Sequence, residues 1–152
     1  VAGWDLAVDG ASPTGPQRDG AALAAVLERA LARAGCGAEG IGAVKLHAAG
    51  SGDADAAEAA ALLRVFGQCL PPLVSFKPYL GHTLGASGAL ETALLLGCLA
   101  QHALPATPGF THLDPALGMA PTLARQPCAA DLVLLNFIGF GGSLAALVLE
   151  RE

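Results

Sequence analysis

The chain has 152 residues, of which 53% are hydrophobic and 14% are charged. This composition excludes intrinsic disorder, which needs low hydropathy and high charge, and the length suits one domain spanning residues 1–152. The formal net charge of −5, with eight scattered Lys and Arg residues, argues against a nucleic-acid surface. So few charges predict that much of the surface faces another protein.

Neither a signal peptide nor a membrane-spanning segment is expected. The first ten residues lack the basic region and the apolar run of a signal peptide, and the missing initiator Met is typical of an excised domain. Residues 84–102 are long enough to cross a bilayer, but Glu91 near their middle favours a helix buried in a soluble α/β protein. No membrane insertion and a cytoplasmic location are therefore expected.

The four cysteines predict free thiols in a reducing compartment, with two disulfides as the less favoured alternative. No C-x-x-C pair occurs, so neither a zinc site nor any other metal site is expected. A core this apolar does not need cross-links. The cysteines are Cys36, Cys69, Cys98 and Cys128.

The first half of the chain predicts alternating strands and helices. Strong helix formers over 21–34 are followed by Gly35 and Gly37, which end that helix. Asp53 or Asp55 is expected to cap the second helix. The predicted elements are a strand at 1–8, a turn-rich loop at 11–20, a helix at 21–34, a strand at 41–48, a helix from Asp53 or Asp55 to about Phe66, and a strand at 73–76.

The second half predicts a long helix at 86–101, an irregular proline-rich excursion at 105–128, and two strands at 131–137 and 143–150. The short glycine-rich link between these strands is typical of a hairpin, so the last strand should run antiparallel to its neighbour. The fold class is therefore α/β: a three-layer α/β/α domain on a five-stranded, mostly parallel mixed sheet whose last strand is antiparallel.

Three places combine reactive side chains with the end of a predicted strand, where ligand sites form in open α/β sheets. They are His47, the segment from Lys77 to His82, and the glycine-rich turn at 139–142. A lone histidine such as His47 is more often structural than catalytic. His82 is the stronger candidate, because glycines surround it and the predicted helix start favours a neutral imidazole that donates a hydrogen bond.

Lys77 and Glu91 form the second candidate pair. Lys77 is one of two lysines and lies in an otherwise apolar stretch. It can extend to solvent from a strand end, or it can be a fixed cation beside the histidines with Glu91 as its counter-charge. A carboxylate inside a buried helix has to be paired or hydrogen-bonded. For His102 and His112 the structural or solvated interpretation is favoured.

Three motifs resemble those of a known family. Residues 75–91, SFKPYLGHTLGASGALE, are similar to the K-x-x-x-G-H-x-x-G-A-[AS]-G-x-x-E segment of β-ketoacyl-acyl-carrier-protein synthases in the thiolase superfamily. Residues 136–142, NFIGFGG, resemble the N-[ST]-F-G-F-G-G turn of that family. His47 lies where the histidine of its H-G-T-x-T motif would be, and Asp55 and Glu58 match the D-x-x-E-A that follows.

The resemblance implies a thiolase-like half domain that corresponds to the C-terminal half of such a synthase. His47 and His82 would donate hydrogen bonds to the thioester oxygen of a malonyl-type extender unit, while Lys77, oriented by Glu91, would hold the neighbouring electrostatics. Phe140 would gate the acyl pocket, and its N–H would complete an oxyanion hole. For both histidines to share one oxygen, their ring nitrogens should lie no more than roughly 6 Å apart.

The substrate-binding residues implied by the resemblance are Ser51, Asn136, Gly139 and Gly141. Ala49 stands at the first threonine position of H-G-T-x-T, so one hydroxyl contact to the pantetheine arm is lost, and Ile138 replaces the usual phenylalanine. The nucleophilic cysteine of the family lies in its N-terminal half, and none of the four cysteines here has the required strand-to-helix setting.

The sequence therefore predicts an acyltransferase half that is inactive as this chain alone. Its expected partners are acyl carrier protein, the N-terminal half and a second copy or related subunit in a homo- or heterodimer. No cofactor is expected, because the substrates ride on the phosphopantetheine of the carrier protein. The alternative is a non-catalytic partner like a chain-length factor, but His47, Lys77 and His82 together favour the enzyme in fatty-acid or polyketide synthesis.

Overall fold

The computed structural model describes residues 1–151 as strands and helices that alternate along most of the chain. The strands are β1 (Gly3–Val8), β2 (Ile41–Lys45), β3 (Leu73–Val74), β4 (Ala103–Leu104), β5 (Gln126–Pro127), β6 (Leu132–Gly139) and β7 (Ser143–Glu150). The helices are α1 (Ala21–Arg33), α2 (Gly52–Phe66), α3 (Lys77–Leu80) and α4 (Ser87–Ala100).

Five strands form one sheet in the order β1-β7-β6-β2-β3. β2 pairs in parallel with both β3 and β6. β7 pairs antiparallel with β6 on one side and with β1 on the other. β7 alone therefore runs against the other four strands, and the predicted mixed sheet with an antiparallel last strand is confirmed.

Helices cover the sheet on both faces, so the domain has the three predicted layers. One core cluster joins side chains of α1 and α2 to the sheet, and Leu134 of β6 belongs to it. A smaller cluster joins α4 to the opposite face, and the next residue, Leu135, belongs to that one. Successive side chains of a strand point to opposite faces, and each leucine buried this way stabilises the fold by roughly 1.5–3 kcal/mol.

Ser51 is the N-cap of α2, which corrects the predicted cap at Asp53 or Asp55. The Ser51 hydroxyl accepts a hydrogen bond of 3.3 Å from the N–H of Ala54, and both aspartates lie in the first turn of the helix. A residue with a short hydroxyl side chain and extended backbone is a preferred N-cap. Carboxylates in the first turn interact favourably with the positive end of the helix dipole. The aspartates thus support the helix electrostatically without capping it.

The strands next to the candidate site are shorter than predicted. β2 ends at Lys45 instead of residue 48, and Ala48 then adopts a left-handed φ of 42°. β3 ends at Val74 instead of residue 76 and is followed by the short helix α3, which was not predicted. Pro78 at the second position of α3 explains that helix, since proline needs no amide donor in a first turn.

The proline-rich excursion at 105–128 is mostly irregular, as predicted, but it ends in a small second sheet. β5 pairs antiparallel with β4, so that Ala103 lies opposite Pro127. Two-residue strands leave no detectable periodicity in the sequence. Within residues 1–151, no helix has the length and apolar character needed to span a membrane, and α4 has 14 residues.

Two elements, β1 and α4, leave large apolar side chains exposed. On β1, alternate side chains are exposed, and α4 buries only four of its residues. Between α4 and the sheet lies an apolar groove of about 430 Å³. We call these exposed side chains the uncovered face; they are Trp4, Leu6, Val8, Leu90, Leu94 and Leu96.

Candidate active site

The two candidate histidines lie together at the carboxyl ends of neighbouring parallel strands. His47 follows β2, and His82 follows β3 by way of α3. Their ring centroids are 5.5 Å apart, with the ring planes inclined by 79°. His47 is 6% exposed, whereas His82 is open to solvent. The fold thus brings one buried and one accessible imidazole to the same place.

His82 does not lie at the start of the long helix, which corrects the sequence-based expectation. α4 begins five residues later at Ser87, after a 3₁₀ turn at Leu84–Ala86. Leu84 has a left-handed φ of 51°, which interrupts the helix before it can reach the histidine. The Leu84 N–H donates a 3.1 Å hydrogen bond to His82 Nδ1. In the neutral ring this leaves Nε2 as the N–H donor, so a local turn rather than the helix dipole orients His82.

The buried carboxylate of Glu58 on α2 holds the backbone of His47. Its Oε1 accepts the His47 N–H at 2.5 Å, and its Oε2 accepts the Ala48 N–H at 2.8 Å. Burial raises the pKa of Glu58, and the two amides together with the nearby charge of Lys45 oppose that rise. Glu58 fixes the bend that turns the imidazole out of the strand direction.

The surroundings of His47 keep its ring neutral. Burial lowers its pKa to about 3, and the positive charges of Lys77 and Lys45 add to this effect. At neutral pH the ring therefore carries a single N–H, which is the form that donates a hydrogen bond without being an acid.

Lys77 and Glu91 form a buried ion pair, as the sequence suggested. Lys77 Nζ lies 2.7 Å from Glu91 Oε1 and also donates to the His47 carbonyl oxygen. Ser87 Oγ donates to the same Oε1 at 2.7 Å. Burial on its own would raise the pKa of Glu91, but Lys45, Lys77 and Ser87 together lower it. Glu91 is therefore an ionised carboxylate that fixes Lys77 behind His47.

Sequence reasoning missed Lys45, which binds the other side of Glu91. Lys45 Nζ lies 2.6 Å from Glu91 Oε2, and the lysine side chain is 0% exposed. The signal available in the sequence was a lysine inside an apolar strand, two residues before a candidate histidine. Neither propensity nor motif comparison predicts that such a lysine pairs with a carboxylate 46 positions later.

Ala48 occupies a backbone conformation that suits glycine. Its φ of 42° is left-handed, and such a conformation costs an L-residue roughly 1–2 kcal/mol. We expect Ala48→Gly to raise the free energy of unfolding by about 0.5–1 kcal/mol, since glycine removes the strain but adds freedom to the unfolded chain. Denaturant unfolding measures this gain. Ala49→Gly is the matched control and should give none, because Ala49 has no such strain; equal effects of the two changes would contradict the argument.

The glycine-rich turn joins β6 to β7 and is fixed against the segment that follows β1. Gly141 has a φ of 75° and donates its N–H to the Pro13 carbonyl at 2.7 Å, and the Asp9 N–H donates to the Gly142 carbonyl at 2.7 Å. A Cβ at Gly142 would lie 1.8 Å from the Asp9 carbonyl oxygen, so only glycine fits. Phe140 at the tip is 77% exposed. Its predicted gating role, and substrate contacts of Gly139 and Gly141, stay predictions.

The remaining candidates have mixed surroundings. Ser51 is exposed, but its hydroxyl already serves as the α2 cap. Asn136 is 0% exposed on the Glu58 side of the sheet, and its amide atoms make no hydrogen bond within residues 1–151. Their substrate contacts stay predictions. All four cysteines are free thiols, and no cluster of metal-ligating side chains occurs in the described part of the chain.

Comparison with known proteins gives a consistent result. Residues 1–111, which include both histidines, Lys77 and Glu91, match the family described as "Beta-ketoacyl synthase, C-terminal domain". The chain is 30% identical to 3-oxoacyl-[acyl-carrier-protein] synthase 2 of Vibrio cholerae over 99% of its own length and 38% of that protein. It is 34% identical to the tetracenomycin polyketide synthase ketoacyl synthase alpha subunit of Streptomyces glaucescens, over 91% of this chain and 33% of that protein.

A solved structure shares the fold. The ishigamide ketosynthase/chain length factor superimposes with a TM-score of 0.92 at 31% identity, covering 100% of this chain and 38% of that one. The chain thus spans little more than a third of the relatives it matches. The thiolase-like strand order, the three motifs and the matched family agree: this chain belongs to the β-ketoacyl synthase C-terminal domain family.

Proposed function

We propose that the chain supplies the hydrogen-bond donors for a decarboxylative Claisen condensation, in which a malonyl-type extender reacts with an acyl thioester in fatty-acid or polyketide synthesis. The observation that carries this proposal is the pair of imidazoles 5.5 Å apart, one of them buried and neutral. Rings whose centroids lie at this separation can each direct one N–H at a single thioester oxygen placed between them.

The proposed chemistry needs these donors when carbon dioxide leaves. The bond between the extender's α-carbon and its carboxylate breaks, and the electron pair passes into an enolate whose negative charge lies on the thioester oxygen. Hydrogen bonds from His47 and His82 stabilise that oxygen as charge develops. The enolate carbon then attacks the acyl thioester carbonyl and expels the nucleophile's thiolate. A ring that stays neutral donates the hydrogen bond without protonating the carbanion.

The nucleophile has to come from outside this chain. Cys98 lies inside α4 and Cys128 is buried after β5, while Cys36 and Cys69 follow the ends of α1 and α2. We infer that an N-terminal half supplies the nucleophilic cysteine. The same half would pack against the exposed apolar side chains of the uncovered face. The relatives' additional length supports this, since the chain spans 38% of the Vibrio cholerae protein.

The remaining expectations about substrates and partners follow from the same proposal. Acyl carrier protein would deliver both thioesters on its phosphopantetheine arm, and no further cofactor would take part. The name of the Vibrio cholerae relative, 3-oxoacyl-[acyl-carrier-protein] synthase 2, supports this partner.

A second candidate function is a non-catalytic subunit like a chain-length factor. Two alanines support it. Ala48 has a strained, left-handed φ directly after His47. Ala49 replaces the first threonine of the H-G-T-x-T motif and so removes a hydroxyl that would contact the pantetheine arm. The structural neighbour named as a ketosynthase/chain length factor also fits this alternative. The complete set of His47, Lys77, His82 and Glu91 favours catalysis, since a purely structural subunit does not need it.

Malonyl decarboxylation separates the two functions. The chain, assembled with an N-terminal half that carries the cysteine, is assayed for acyl transfer to that cysteine and, separately, for decarboxylation of malonyl carrier protein. His47→Ala and His82→Ala should each lower decarboxylation by roughly 10²–10³-fold, as loss of an oxyanion donor does, with acyl transfer retained. His112→Ala, at an exposed position, is the control. A wild-type assembly without decarboxylation would favour the structural subunit, and condensation by the isolated chain would contradict the proposed division of labour.

The isolated chain is expected to self-associate through the uncovered face. Large apolar surfaces on a soluble domain favour association, and this one includes Trp4 and Leu6, which are 52% and 64% exposed. Sedimentation velocity at high micromolar concentration tests this. Leu6→Lys should shift the population towards monomer, and Leu123→Lys, an exposed position outside that face, should not. A wild-type chain that remains monomeric would contradict the prediction.

A further inference from the structure

Lys45 is a buried cation in the candidate active site that the proposed chemistry does not yet use. Its side chain is 0% exposed, and its ammonium lies 3.9 Å from the centroid of the Phe137 ring. An ammonium removed from water is tolerated only where other groups replace its hydration. Here Glu91 Oε2 at 2.6 Å and the face of the Phe137 ring do so.

Lys45 is connected to His47 and Lys77 through Glu91 and the backbone. Glu91 receives Lys45 on one oxygen and Lys77 with Ser87 on the other. Lys77 in turn donates to the carbonyl of His47, two residues after Lys45 on the same segment. The contacts form a closed circuit that joins the end of β2, the start of α3 and the first turns of α4.

The charges of this circuit do not cancel. Two ammonium groups share the single carboxylate of Glu91, so these three side chains together carry one net positive charge, while Glu58 lies on the other side of His47. Every packed element contributes a charged or titratable group to the surroundings of His47: Lys45 from β2, Lys77 from α3, Glu91 from α4, Glu58 from α2, and His82 from the loop before α4.

We propose that Lys45 is a positioning residue of the active site: it occupies Glu91 Oε2 so that Glu91 holds Lys77 against His47, and its charge keeps His47 a neutral hydrogen-bond donor. What His47 then does rests on the proposed function. The circuit itself is a property of the free chain, and it is measured without substrate.

The first test uses the fact that Lys45 and Lys77 are the only lysines in the sequence. An NMR spectrum of the full chain labelled at lysine ¹⁵Nζ and ¹³Cε therefore contains two lysine signals, and Lys45→Met assigns them. Burial lowers the pKa of Lys45 to about 8 despite its attraction to Glu91. The lysine signal that is absent from the Lys45→Met spectrum belongs to Lys45, and in the wild-type chain it should titrate near pH 8. Titration of that signal near 10.4, the value of a solvated lysine, would overturn the proposal.

The second test asks whether Lys45 acts on its neighbours. Histidine ¹⁵N NMR of Lys45→Met and Lys45→Gln at pH 3 to 7 should show the proton affinity of His47 raised roughly 3- to 30-fold, as loss of a nearby charge requires. The Lys77 ammonium signal should shift and exchange faster with water, with partial recovery in Lys45→Gln, which retains an N–H donor. Arg64→Met, which removes an exposed positive charge from the last turn of α2, is the control.

The outcomes separate positioning from mere space filling. A Lys45→Met chain with a native circular dichroism spectrum and unchanged His47 and Lys77 signals would overturn the proposal. If Lys45→Met does not fold, Lys45→Gln assigns the two lysine signals, and the wild-type lysine titration then decides the question. Because neither measurement involves a thioester, absence of decarboxylation would contradict the proposed function while leaving this circuit standing.

Discussion

Replacing Glu91 with leucine is expected to lower the free energy of unfolding by about 3–5 kcal/mol, the range found when one partner of a buried ion pair is removed. Glu91 is 2% exposed and is the shared counter-ion of Lys45 and Lys77. With leucine at this position, the buried ammonium groups of Lys45 and Lys77 have no counter-ion. Denaturant unfolding at pH 7 measures the loss, and Glu91→Gln, which keeps an oxygen acceptor, should lose less.

Two variants establish the cause of that loss. Glu28→Leu on the exposed side of α1 removes a carboxylate from a helix surface and should change stability by no more than about 0.5 kcal/mol. In Lys45→Met/Glu91→Leu/Lys77→Met, apolar side chains replace the whole cluster, which should recover much of the stability. A triple variant less stable than Glu91→Leu would show that packing, rather than unpaired charge, causes the loss.

Acid is expected to destabilise the chain through His47. The pKa of this ring is about 3 in the folded state and about 6.5 when unfolded, so the unfolded chain binds the proton more tightly. The associated stability is present above pH 6.5 and is lost as the pH falls towards 3. Between pH 7 and pH 5 the loss due to His47 is about 2 kcal/mol.

His47→Gln isolates this contribution, because glutamine does not titrate. Its unfolding free energy should fall by about 2 kcal/mol less than that of the wild-type chain between pH 7 and pH 5. The raised pKa of Glu58 acts in the opposite direction in both proteins, so the comparison removes most of its effect. His112→Gln, at an exposed position, should keep the wild-type pH dependence. Equal losses for the wild-type chain and His47→Gln would show that the ring is not held neutral by the fold.

The fold was predictable because its elements carry strong local signals. The helix formers of α1 and the glycine-rich hairpin between β6 and β7 determine helix, strands and antiparallel pairing from composition alone. The element ends were less predictable. The chain bends away from the direction of β2 at Ala48, which has a left-handed φ that alanine rarely adopts. Ser51, and not one of its two acidic neighbours, is the N-cap of α2. The bend at Ala48 depends on a tertiary contact, the hydrogen bond from its N–H to Glu58, whereas the Ser51 cap is a local bond to the Ala54 N–H.

The candidate site was predictable where residues follow strands or match a motif. His47, Lys77, His82 and Glu91 were found in this way, and the structure brings them together. Lys45 was missed because its role depends on a partner 46 residues away on α4. The orientation of His82 was wrongly attributed to a helix start, since the 3₁₀ turn before α4 leaves no clear pattern among the small residues there.

The central claim is that His47 and His82 act on one thioester oxygen, and the double variant tests it most directly. Malonyl decarboxylation is measured for the assembled wild-type chain, His47→Ala, His82→Ala and the combined variant. Groups that act as a unit give strongly non-additive losses, so the double variant should lose far less than the product of the two single losses. A double variant whose loss equals that product, or a single variant with wild-type decarboxylation, would contradict a shared oxygen.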